Sequence, residues 1–129
     1  MDPLTKDRLF RKGLEAFNSE QFFAAHEHWE EVWLKTPNPE KMFLQGLIQV
    51  AAAFHHYTRA NSLGCRNLLH EGLLKLDCFP EEHWEIAIEP LRASVRLWLV
   101  PLRAGENSVA VKFPRIESGG TRPASTEST

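Results

Sequence analysis

Five stretches of this sequence bring an apolar residue round every three or four positions, and that spacing confines the chain to helices. The first runs from about Thr5 to Phe17, with Leu9, Phe10, Gly13, Leu14 and Phe17 on one side. Asn18-Ser19-Glu20-Gln21 interrupts it, and Asn18 with Gln21 three residues later fits a capping box. A second helix continues to about Lys35 and stops before Thr36-Pro37-Asn38-Pro39. Asn38 is the natural N-cap and Pro39 the first residue of a third helix, which reaches Ala60. A fourth covers Leu63 to Leu76, its stripe made by Cys65, Leu68, Leu69, Leu73 and Leu76. After a loop containing Pro80, a fifth helix is expected from Pro90 to Arg103, with Leu91, Val95, Trp98 and Leu102 facing inward. Val109 to Ile116 is expected to lie extended over the bundle, completing a single helical domain of residues 1–116. Residues 117–129, rich in Ser, Thr, Gly and Pro, have little to bury and are expected to form a disordered tail.

The fold class that follows is all-α, about five helices built from antiparallel hairpins. An internal echo supports the hairpins: Ala25, Trp29 and Val32 align with Cys65, Leu69 and Gly72 at an offset of 40 residues. Gly13 and Phe17 align with Ala53 and Tyr57 at the same offset. The succession Gly13, Phe22, Ala25, Trp29, Val32, Pro37 looks like part of a tetratricopeptide repeat, although the period does not fit a regular array.

Composition narrows the function classes. The 129 residues carry a formal charge of −2 with both signs mixed along the chain, so nucleic acid is not the expected partner. Two cysteines, Cys65 and Cys78, are too few for a disulfide scaffold and lack metal-finger spacing. Asp2, Lys6, Asp7 and Arg8 argue against a signal peptide, and apolar runs such as Val50 to Phe54 are far too short to span a membrane. A cytoplasmic protein is the simplest expectation.

The unusual feature lies in the second helix. Phe22, Trp29 and Trp33 define an aromatic stripe at helical spacing, and His26 projects between Phe22 and Trp33. Burying an imidazole without a partner costs on the order of 1–3 kcal/mol, so something must satisfy it. Glu30 lies one turn further on, within reach at i+4, and can fix the tautomer. A second source is the third helix, whose side opposite Phe43, Leu47, Val50 and Phe54 carries Gln45, Gln49, Ala52 and His56. If the second helix packs there, Gln49 and His56 would face His26 and Glu30.

These blocks reach a family resemblance. Phe23-Ala24-Ala25-His26-Glu27-His28-Trp29-Glu30-Glu31-Val32-Trp33 resembles the first signature of the domain of unknown function 309 family. Gly46-Leu47-Ile48-Gln49-Val50-Ala51-Ala52-Ala53-Phe54-His55-His56, followed by Asn61 and Gly64, is similar to its second. The likeness covers roughly residues 5 to 100. It implies a small helical protein and singles out His26, Glu27, Glu30, Gln49, His56 and Asn61, but it supplies no substrate. Cys65 stands where a small alanine is usual in the family, and the loop before Pro90 is atypical.

Three readings stay open. The polar cluster is a closed internal hydrogen-bond network that fixes helix register. Alternatively it is a surface that recognises a protein or small-molecule partner, which could be a second copy of the chain. In the third reading it is a metal-assisted hydrolytic site, with His26, Glu30 and His56 as ligands of a divalent metal and Glu27 as general base. His28, His70 and His83 are expected at the surface, and Cys65 as an inert packing residue. Asn61 is expected to cap the fourth helix, with Gly64 allowing close helix approach.

Overall fold

In the computed structural model, which describes residues 1–119, the five apolar stripes become five helices around one core. They are α1 (Pro3–Asn18), α2 (Phe22–Leu34), α3 (Glu40–Thr58), α4 (Ser62–Leu76) and α5 (Ile88–Arg103). A two-stranded antiparallel hairpin, β1 (Glu82–His83) and β2 (Ile86–Ala87), lies between α4 and α5. Helices α1 and α2 pack together, as do α3 and α4, and the two hairpins join along α2 and α3. Thus α3 is the middle helix, flanked by α2 and α4.

The 40-residue echo has a physical basis at both hairpin bends. At the end of α1, Glu20 is left-handed (φ 62°), and Gln21 donates its N–H to the Ala16 carbonyl at 2.8 Å. At the end of α3, Ala60 is left-handed (φ 62°), and Asn61 donates to the His56 carbonyl at 2.9 Å. Both are Schellman ends, and in each the residue after the left-handed one is already the N-cap of the next helix. The aligned pairs Ala25/Cys65, Trp29/Leu69 and Val32/Gly72 are all buried. A left-handed residue with a Cβ is unfavourable where glycine is not. Ala60→Gly is therefore expected to stabilise the protein by about 0.5–1 kcal/mol, read as a higher urea midpoint at unchanged m-value.

Several ends differ from expectation. The Asn18–Gln21 capping box does not form: Gln21 makes no side-chain cap bond. Instead Asn18 Oδ1 accepts the Ile116 N–H at 2.7 Å, and its Nδ2 donates to the Ile116 carbonyl at 3.0 Å. Pro39, not Asn38, is the N-cap of α3. Helix α5 begins two residues before Pro90, because the Glu81 carbonyl accepts the N–H groups of Ile88 and Glu89.

The segment 109–116 crosses the core as an extended cover. Phe113 stacks on Trp98 (ring centroids 5.1 Å apart) and meets Phe22 and Phe54 at 4.9 and 5.3 Å. Tyr57 Oη accepts the Val109 N–H, and Trp98 Nε1 donates to the Lys112 carbonyl. Glu117 and Gly119, which the sequence assigned to the tail, bond to Ala87 and Glu85. Ser118 bridges to Ile86, and residues 120–129 of that tail lie outside the described residues. Among the described residues no helix is long and apolar enough to cross a membrane.

Candidate functional site

Helix α2 turns Phe22, Ala25, Trp29 and Val32 fully inward, leaving His26 on the flank of that stripe. The His26 side chain is 26% exposed, with Nε2 3.8 Å from Glu30 Oε2. Its ring stacks on Phe23, one turn earlier, at 5.7 Å. Phe23 in turn meets His55 of α3 at 5.1 Å. The histidine that α3 brings toward α2 is thus His55, not His56. Burial holds the His55 pKa below the ordinary histidine value, assisted by the neighbouring charges of Arg59, His56 and His26.

The expected meeting of Gln49 and His56 with His26 needs a corresponding correction. His56 Nδ1 accepts a hydrogen bond from Asn61 Nδ2 at 3.2 Å, at the start of α4. Gln49 lies beside α4, where its Cβ borders Gly72. Gln49 and His56 thus sit on the α4 side of α3, while His55 meets Phe23 on the α2 side. One residue is 100° of helix rotation, which is why the sequence row singled out the wrong neighbour.

Gln45, Gln49, Ala52 and His56 nevertheless share about 60° of α3, on the side away from Leu47 and Phe54. All four are half-buried although they face outward. A central helix shows such half-burial when neighbours pack on either side of it, as α2 and α4 do here. Two polar atoms lack any hydrogen-bond partner among the described residues: His26 Nδ1 on α2 and Gln49 Oε1 on α3, both buried. With the imidazole proton on Nε2 toward Glu30, Nδ1 is an acceptor. Both orphans then call for an N–H or O–H donor.

The metal reading does not fit this geometry. No group of three His, Cys, Asp or Glu side chains able to hold an ion occurs among the described residues, so His26, Glu30 and His56 do not form one. Glu27 is exposed on the outer face of α2.

Asn61 does cap α4, Oδ1 accepting the Gly64 N–H at 2.8 Å. Gly64 makes room for that side chain and not for another helix: a Cβ there would come within 2.6 Å of Asn61 Nδ2. Close helix approach belongs to Gly46 and Gly72, where a Cβ on Gly72 would lie 3.0 Å from the Gly46 carbonyl oxygen. The buried Cys65 thiol has its pKa pushed up to about 12 by burial, which leaves it protonated and inert.

Sequence reasoning missed a second cluster. His83 is not a free surface residue: its Nε2 lies 3.1 Å from both Glu40 carboxylate oxygens, and its ring packs on Phe43 and Phe79. Trp84 Nε1 donates to the same carboxylate. Glu40 opens α3, and the β-hairpin delivers both partners from 43 and 44 residues away. Only the Glu-Glu-His-Trp-Glu run before Ile86 hinted at it, and no periodicity marks a two-residue strand.

Comparison with known proteins now adds a family. Residues 10–68 match the model of the family described as "Domain of unknown function (DUF309)". That span includes both quoted signatures and ends inside α4, short of the roughly 5–100 read from the sequence. An uncharacterized protein of Aquifex aeolicus (strain VF5) is 33% identical over 86 residues, 66% of this chain and 26% of the relative. The chain therefore spans about a quarter of the curated relative it matches.

Proposed function

We propose, from the premise that residues 10–68 match a family of unknown function, that the chain is a recognition module. Its ligand lies along the half-buried row of α3, between α2 and α4. The carrying observation is the pair of buried polar atoms, His26 Nδ1 and Gln49 Oε1, that have no hydrogen-bond partner among the described residues. Buried polar groups are normally satisfied within a fold, and each exception costs about 1–3 kcal/mol. A ligand that offers N–H donors along its length, as an extended peptide does, supplies what both atoms lack. Phe23, 51% exposed beside His26, adds an apolar contact at the rim. Stacked hairpins in the tetratricopeptide manner suit such a role, and the mixed charge favours a protein or small-molecule partner in the cytoplasm over nucleic acid.

This reading separates from a closed structural network by the sign of a stability change. Gln49→Leu removes an unpaired acceptor, so it is expected to raise the stability of the free protein by about 1 kcal/mol while weakening partner capture. His26→Leu is expected to behave alike. Urea denaturation of both variants, beside affinity capture with each, makes the comparison. Stability falling by more than about 1 kcal/mol in both would mean that the two side chains hold the fold together, and the recognition reading would go.

A further inference from the structure

The β1–β2 turn is built in an unfavourable way. Trp84 (φ 52°) and Glu85 (φ 63°) are consecutive left-handed residues, a conformation that two-residue hairpins ordinarily give to Asn-Gly or Gly-Gly. Each such residue with a side chain is disfavoured by the clash of its Cβ with the backbone. What the chain obtains is a fixed position for the Trp84 ring. That ring meets Phe10 edge-on at 5.1 Å and Phe43 at 5.5 Å, and its N–H is held by Glu40.

The ring forms one wall of a cleft of about 630 Å³, a size typical of small-molecule sites. Helix α1 supplies the opposite wall through Lys6, Phe10, Arg11 and Leu14, and Ser118 and Gly119 close the rim. The charges in it are unequally engaged. Arg11 bonds Asp7 at 2.9 Å and lies 4.0 Å from Glu85, so both carboxylates in the cleft face one guanidinium. Lys6 is left without a carboxylate partner among the described residues, its ammonium 4.5 Å above the Trp84 ring. An ammonium held over an aromatic face at the mouth of a half-apolar cleft is a receptor for an anion attached to an apolar body.

We propose that this cleft binds a small organic acid, with its carboxylate or phosphate on Lys6 and its apolar body against Trp84, Phe10 and Leu14. The site shares no residue with the polar row of α3, and the proposal does not rest on the function assigned to that row.

The test uses the full chain labelled with nitrogen-15, its indole N–H signals assigned through the backbone. Phenylacetate, indole-3-acetate and phenyl phosphate are titrated separately, with phenylacetamide as the neutral counterpart of the first. At least one anion is expected to shift the Trp84 indole signal at millimolar concentration, the range open to so small a ligand. Phenylacetamide is expected to bind at least about tenfold more weakly than phenylacetate, a ratio that one desolvated charge contact supplies. Lys6→Met, a change at the surface of α1, is expected to abolish that ratio. The proposal is overturned if none of the three anions moves the signal by about 10 mM. Equal binding of acid and amide, or an unchanged ratio in Lys6→Met, overturns it as well.

Discussion

Gly13→Ala is expected to destabilise the protein by about 3 kcal/mol, although alanine is the better helix former by about 1 kcal/mol. The reason is Trp29. Its indole is fully buried against the backbone of α1, and Nε1 donates to the Phe10 carbonyl at 3.1 Å. A Cβ on Gly13 would fall against Nε1 and Cδ1, and 2.6 Å from Cε2. The ring must then move, which loses a buried hydrogen bond worth about 1–3 kcal/mol and strains a core closed by Phe10 and Phe17. A double-mutant cycle with Trp29→Phe isolates the cause, because the smaller ring leaves room and has no N–H to lose. The penalty for Gly13→Ala should shrink by at least about 1 kcal/mol in that background. A fully additive cycle would place the damage elsewhere.

Arg92→Leu is expected to cost about as much, for a different reason. Arg92 is only 6% exposed, yet it has no buried carboxylate opposite it. Its Nη1 donates to the carbonyls of Leu76 and Phe79 at 2.8 and 2.7 Å, and Nε donates to Glu89. Leu76 ends α4, so its carbonyl has no partner within the helix. The arginine of α5 thus caps α4 and holds the turn that leads into the β-hairpin. The contact leaves its mark on Glu89, whose carboxyl is held below the usual range first by the Arg92 hydrogen bond and then by that of Arg96. Leucine would fill the space but take the buried donor from the Phe79 carbonyl and leave the Leu76 carbonyl with only the Phe79 N–H at 3.1 Å, a loss of about 3 kcal/mol in urea denaturation. Arg92→Lys should recover only part of it, since one ammonium cannot reproduce the fork. A loss under about 1 kcal/mol for Arg92→Leu would show that solvent reaches those carbonyls.

These two residues mark what the sequence could and could not disclose. Apolar spacing placed all five helices within about two residues of their ends, because burial of a stripe leaves a period that can be counted. Gly13 was read as part of that stripe, but only the structure shows an indole lying across it. Arg92 was passed over, as a long-range cap on another helix leaves no local pattern. At the candidate site, His26 and Glu30 were legible because both sit on one helix. The third-helix partner was misread by a single residue, His56 for His55, since a row on a helix face does not say which flank its neighbours take. The Glu40–His83–Trp84 cluster depends on a turn of two left-handed residues that are not glycine, a choice that turn chemistry argues against.

The cover formed by residues 109–116 bears on how the molecule comes into being. Phe22, Phe54 and Trp98 meet through Phe54, but their outer faces are covered only when Phe113 packs on all three, and the Asn18 side chain finds both of its bonding partners on Ile116. A chain leaving the ribosome therefore exposes aromatic rings of α2 and α3 until nearly a hundred further residues have followed Asn18. Over that interval the helical hairpins are formed but sticky, and synthesis rather than the finished protein is the stage most open to aggregation and to chaperone capture.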